Sequence, residues 1–382
     1  MIESAKRLEQ VQTYYFAKKL KEIAELNTQG KEVINLGIGS PDLTPPKEVS
    51  QALIDGLDTE KAHQYQSYYG LAELRGAFAG LYNKYFNVQA EADSEILPLI
   101  GSKEGIMHIA MSFLNEGDEV LVPNPGYPAY KMTTLLAGGK VRYFDLEEAN
   151  NWLPNLKKLE SSDLSKVKLM WVNYPNMPTG AKATIHFFEQ LVAFGLRNNI
   201  LICHDNPYAF ILNDKPISIL EIPGAKETAL ELFSLSKGFN MAGWRVGAVI
   251  SHHNYIDAII KFKSNMDSGM FKPVQLAATK ALGLEQSWFD SLNEIYTQRR
   301  IQAWKIFDLL DIAYKKEAAG LFVWGKVPRE NARYWSDLIL DKAGVFITPG
   351  FIFGNKGAQY LRISLCSTTE IFDQALDRIN QI

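Results

Sequence analysis

The stretch of this chain richest in reactive side chains is Ser234-Leu235-Ser236-Lys237-Gly238-Phe239-Asn240-Met241-Ala242-Gly243-Trp244-Arg245. Two serine hydroxyls and an arginine eight residues after the lysine can converge on a phosphate, which a planar guanidinium grips through two parallel hydrogen bonds. A lysine beside that phosphate has two chemical uses. It can pair with the anion, or its amine can condense with an aldehyde cofactor as a Schiff base. A second anion-binding pattern is Gly101-Ser102-Lys103-Glu104-Gly105, where a helix start offers free backbone N–H groups and a positive dipole end. Arg362 interrupts the apolar run Tyr360-Leu361-Arg362-Ile363-Ser364, a placement unusual for a merely solvated residue.

The elements that must position these groups follow from hydrophobic periodicity. Short apolar runs at 96–100, 119–122, 141–144, 169–172, 200–203, 231–235 and 246–250 read as strands. Amphipathic stretches at 103–114, 127–137 and 184–197 read as helices between them. This alternation predicts an α/β fold: a three-layer large domain at 46–285 with a mainly parallel seven-stranded sheet covered on both faces. After it the spacing predicts a helix over 287–314, strands at 321–324, 345–347 and 360–364, a helix over 333–342 and a closing helix. Together with a helix over 4–26 and a strand at 33–36, that predicts a smaller α+β domain built from both termini, 1–45 and 286–382.

Composition narrows the partners. Forty Lys and Arg against 43 Asp and Glu leave a net charge of −3, which gives no basic footprint for nucleic acid or an anionic membrane. No apolar run reaches the roughly 18 residues of a membrane span, and no signal peptide is expected. Two cysteines, Cys203 and Cys366, form no framework, so a reduced cytoplasmic setting is expected. The six histidines are scattered, and no metal is expected.

The pattern Ser-x-Ser-Lys-x7-Arg resembles the cofactor-lysine segment of fold-type-I, class I/II pyridoxal-phosphate-dependent aminotransferases. Four further motifs stand in that family's order: Gly101-Ser102-Lys103, Asn124-Pro125-Gly126-Tyr127-Pro128, Asn173-Tyr174-Pro175-Asn176-Met177-Pro178-Thr179-Gly180 and Asp205-Asn206-Pro207-Tyr208. The resemblance implies pyridoxal 5'-phosphate as cofactor, with its Schiff base on Lys237. Asp205 would hold the ring nitrogen protonated, as an electron sink requires, and Tyr208 would bond the ring oxygen. Ser102, Lys103, Ser234, Ser236 and Arg245 would grip the phosphate, Tyr127 would stack on the ring, and Asn173 would belong to the cofactor site. Tyr65 would reach the phosphate of the neighbouring subunit in a homodimer with shared sites. Arg362 would bind the substrate α-carboxylate, and the Gly39 loop would close over it.

The implied activity is transfer of an amino group from an L-amino acid to a 2-oxo acid, in amino acid metabolism or biosynthesis. The alternative is a pyridoxal-phosphate lyase or synthase on the same scaffold. The segment Lys261–Gly269 resembles the branch that includes LL-diaminopimelate and alanine aminotransferases. Tyr14, Tyr15, Tyr65, Tyr68 and Tyr69 could suit a hydrophobic or aromatic substrate side chain, although several should be core or interface residues. The family's usual Asn before Pro-Thr-Gly is Met177 here. Met cannot donate to the ring oxygen, so Tyr208 would support it alone and the Lys237 Schiff base would keep its proton to higher pH.

Overall fold

The computed structural model describes residues 2–11 and 15–382. Seven strands make the large sheet: β1 (Ile96–Leu99), β2 (Glu119–Asn124), β3 (Lys140–Asp145), β4 (Val167–Asn173), β5 (Leu201–Asp205), β6 (Ala229–Ser234) and β7 (Gly247–Ser251). Their order is β1-β7-β6-β5-β4-β2-β3. The β2–β3, β2–β4, β4–β5 and β5–β6 pairs are parallel, and β7 runs antiparallel to both β1 and β6.

Alternation along each strand divides two cores. Leu121, Met170, Val172, Ile202 and Phe233 face one; Val120, Leu169, Trp171, Leu201 and Leu232 face the other. Each core is closed by helices, so both faces of the sheet are dry and the strands read as near-continuous apolar runs. The parallel strands end on one edge, which carries Asn173, Asp205 and Ser234 as the last residues of β4, β5 and β6.

A four-stranded antiparallel sheet joins Ala313–Tyr314, Phe322–Lys326, Thr348–Pro349 and Tyr360–Ser364. Ile34–Asn35 pairs in parallel with Val345–Phe346, tying the two ends of the chain together. The expected long helix over 287–314 stops at Leu309, and Ala313–Tyr314 turns back as an edge strand on Phe322–Lys326. Asp311 in the connection has a left-handed φ of 53°, a conformation that ends a helix and that Asp tolerates. The expected first helix is a 3-10 turn at Lys6–Leu8 and an α-helix at Tyr15–Thr28; Tyr14 lies outside the described residues. Arg299, from helix Gln286–Leu309, donates two bonds of 2.7 Å to the Asp42 carboxylate and so fixes the loop that follows Gly39.

A buried polar cluster sits behind the sheet edge. Glu231 on β6 accepts from Tyr82 at 2.6 Å, Ser218 at 2.9 Å and Asn206 at 3.3 Å, and lies 2.7 Å from His204 Nδ1 on β5. Removing the carboxylate leaves these groups without a partner in a medium that cannot solvate them. Glu231→Leu is expected to lose about 3 kcal/mol or more of unfolding free energy in denaturant titration. A loss within about 0.5 kcal/mol, the range of ordinary surface changes, would contradict this account of the cluster.

Candidate active site

The carboxyl edge of the parallel strands opens into a cavity of about 550 Å³, the usual ligand position in open α/β sheets. At its floor, Asp205 is 5% exposed. Its Oδ2 accepts from the Tyr130 hydroxyl at 2.8 Å, while its Oδ1 is buried with no hydrogen-bond partner. Burial raises the Asp205 carboxyl from 3.8 to about 6, against the opposing Tyr130 bond. Tyr130 is held by a parallel stack on Trp171, ring centroids 4.8 Å apart, and Tyr127 meets it edge-on at 5.5 Å. Asn173 lines the cavity too. Its amide nitrogen donates to the Asp205 main-chain oxygen at 2.7 Å and its oxygen accepts from Met177 N–H at 2.7 Å, so it ties the ends of β4 and β5.

One flank forms an anion cup. Helix Ser102–Phe113 begins there, and Ser102, Lys103, Ser234, Ser236 and Arg245 all line it. Ser236 N–H donates to Ser234 Oγ at 3.2 Å. Arg245 has a left-handed φ of 58° and is held by bonds to the Ala242 carbonyl at 2.9 Å and Ser236 Oγ at 3.3 Å. Its guanidinium passes directly over Gly101, where a Cβ would lie 2.1 Å from Nη2; only glycine fits beneath it.

Lys237 reaches the cavity from the loop between β6 and β7, and its Nζ donates to the Gly39 carbonyl at 2.5 Å. Burial pushes its amine below the usual lysine range. Arg362 is 4% exposed and stands opposite. Its Nη2 donates to the Gly37 carbonyl at 2.7 Å, and its guanidinium carbon lies 4.0 Å from the Phe322 ring and 4.7 Å from the Phe353 ring. The Tyr208 phenol is also buried, which pushes it above the ordinary tyrosine range, with Arg362 pulling the other way.

Met177 lies against Arg362, with Sδ 3.4 Å from Nη1. Asn176 beside it faces away: its amide donates to the Asn173 carbonyl and accepts from Thr179. The cavity therefore brings together Gly39, Ser102, Lys103, Tyr127, Asn173, Asp205, Tyr208, Ser234, Ser236, Lys237, Arg245 and Arg362. Tyr65 is 91% exposed and lies outside it. Tyr130 and the Phe322 and Phe353 rings were not foreseen, because an aromatic residue at core spacing on a helix or strand carries no signal of its own. Elsewhere, ligand-type atoms of Glu104, His108 and Asp267 lie within 4.8 Å of one another, and the Lys263 ammonium already supplies a cation there, 2.9 Å from Asp267.

The family model described as Aminotransferase class I and II matches residues 31–379. An LL-diaminopimelate aminotransferase of Dehalococcoides mccartyi (strain CBDB1) is 41% identical over 379 residues, 98% of this chain and 97% of that one. Another, from Aquifex aeolicus, is 38% identical over 386 residues and the full length of both. The structure of substrate-bound BacF from Bacillus subtilis has a TM-score of 0.95 at 32% identity, covering 100% of this chain and 98% of its own.

The Asp205 environment yields a pH signature in the cofactor-free protein. The folded state holds the proton between pH 3.8 and about 6, where the unfolded chain has released it, so stability falls as pH rises through that window. Asp205→Asn removes the effect. The variant is expected to gain about 2 kcal/mol on wild type between pH 4 and pH 6, read by denaturant unfolding at each pH. Parallel curves would contradict the assignment.

Proposed function

The chain belongs to the class I and II aminotransferase family, whose chemistry is amino-group transfer with pyridoxal 5'-phosphate, and from that premise we propose which of its residues do the work. The cavity fits the cofactor on an observation of its own: the orphaned, buried Oδ1 of Asp205 is an acceptor awaiting a donor such as a protonated ring nitrogen. The anion cup of Ser102, Lys103, Ser234, Ser236 and Arg245 would take the phosphate. Tyr127 would cover the ring, Tyr208 would donate to its oxygen, and Asn173 would hold the floor in place. When bound, the cofactor supplies an aldehyde that condenses with amines and a ring that accepts an electron pair.

The residues then divide the labour. The desolvated Lys237 amine gives up its proton more readily than an exposed lysine, which favours the free, nucleophilic amine. Freed by substrate, Nζ would take the proton from the substrate Cα and return it on the cofactor side. Asp205 would hold the ring-nitrogen proton. Arg362 would anchor the α-carboxylate, with the Gly39 backbone closing over it. The burial of a lysine amine, an orphaned carboxylate oxygen and an arginine cup around one cavity carries this reading.

The cavity lies between the parts we take as domains, 46–285 and 1–45 with 286–382. All strands of the large sheet fall in the first and the four-stranded sheet falls in the second. We further propose a homodimer. Tyr65, Tyr68, Tyr69, Met266 and Phe271 are exposed, and the two segments that carry them meet where Gly269 packs on the Gln66 backbone. Tyr65 would enter the partner's site from there. The free thiols Cys203 and Cys366 suit a reducing cytoplasm. Among the described residues no helix is long and apolar enough to cross a membrane.

An amino acid added without acceptor is expected to release about one 2-oxo acid per subunit and stop, turning over only once a 2-oxo acid is supplied. Steady turnover without acceptor would mark a lyase. Lys237→Ala is expected to slow the proton transfer by about 10³-fold or more. Sedimentation should give the mass of two chains; a fully active monomer would contradict the shared site.

A further inference from the structure

We propose that one of the two amino-acid and 2-oxo-acid pairs has an apolar, preferably aromatic, side chain, and that a distal ammonium is excluded. This deepens the reading above and rests on it. Five charged side chains line the cavity among the described residues: Lys103, Asp205, Lys237, Arg245 and Arg362. In the proposed assignment Lys103 and Arg245 meet the phosphate, Asp205 the ring nitrogen, Lys237 the aldehyde and Arg362 the α-carboxylate. Among the described residues Asp205 is the only acidic group in the wall, at its floor and engaged there.

The surface left for the substrate side chain is apolar. Phe16 and Leu20 of helix Tyr15–Thr28, with Ile38, Phe322, Phe353 and Met177, line the same cavity as Arg362. Phe322 and Phe353 lie against its guanidinium, and Met177 Sδ touches it. A side chain leaving the Cα of a carboxylate bound at Arg362 therefore meets rings and a thioether. Tyr65, which would enter from the partner, adds no charge. Among the described residues no anion of this wall answers a distal ammonium. LL-Diaminopimelate carries such an ammonium, and burying it unpaired is costly. The substrate in the name of the relatives therefore does not fit this wall.

The test uses the dimeric holoenzyme. Loss of the cofactor's absorption band is followed with L-phenylalanine, L-leucine, LL-diaminopimelate and L-lysine. The ratio of maximal rate to apparent Kd for phenylalanine is expected to exceed that for diaminopimelate by about 100-fold or more. Diaminopimelate reacting as well as phenylalanine overturns the substrate class while leaving amino-group transfer standing; no reaction with any amino acid overturns both. Calorimetric binding of acids that carry no primary amine gives a readout without turnover. 3-Phenylpropanoate is expected to bind at least about tenfold more tightly than 5-(trimethylammonio)pentanoate, and the reverse order overturns the proposal. Ile38→Asp supplies the missing anion and is expected to raise the diaminopimelate-to-phenylalanine ratio at least about tenfold; an unchanged ratio overturns the claim that this wall sets the preference.

Discussion

The cost of keeping an amine out of water is the constraint on which the site depends. Burial disfavours the charge of Lys237, and the Arg362 and Arg245 guanidiniums of the same cavity add to that effect. An ammonium held there relies on the Gly39 carbonyl for its hydrogen bond. Arg362 is bonded in the same way to the Gly37 carbonyl. Two carbonyl oxygens of one loop thus face two cations that a substrate carboxylate and a cofactor aldehyde would otherwise engage. The loop carrying Gly37 and Gly39 is in turn fixed by the Arg299–Asp42 pair and by Asn240 donating to the Thr44 carbonyl.

The rest of the fold holds this arrangement in register. Parallel pairing of β4, β5 and β6 brings Asn173, Asp205 and Ser234 to one edge. The Asn173 side chain locks the first two together, and the Tyr130–Trp171 stack sets the hydroxyl that engages one Asp205 oxygen and leaves the other open. The Glu231 cluster lies just behind and engages His204, Asn206 and Ser218 through one carboxylate. An edge that ends in buried polar residues is stable only when nearly every one of them is partnered. Asp205 Oδ1 and its neighbour Asn206 Oδ1 are both left open there, and of the two residues Asp205 lines the cavity.

Much of this was legible in the residues. The seven strands announced themselves as short apolar runs because both faces of the sheet are covered. Lys237, Arg245 and Asp205 stood out because charged residues at strand ends are functional candidates, and a known family arrangement gave them roles. What stayed hidden depends on long-range packing. Tyr130 reads as one more core residue of an amphipathic helix until its hydroxyl is seen on Asp205. Glu231 interrupts an apolar strand, yet its partner Tyr82 lies 149 residues away in sequence. Asn173 belonged to the expected set, and its part in joining two strands depends on the Met177 and Asp205 backbones beside it. The long helix was overrun because periodicity continues through Tyr314, where the chain has already turned into an edge strand.

Met177 is where the residue pattern and the packing inform each other most. Its apolar side chain stands where the family usually has an amide, and in the structure it lies on the Arg362 guanidinium and continues the aromatic wall. The covalent claim at the centre of the account is tested most directly by reducing the cofactor-loaded protein with borohydride and mapping its peptides by mass. The account predicts a pyridoxyl-phosphate adduct on Lys237 alone. A protein that takes up no cofactor, or an adduct on another lysine, would contradict it.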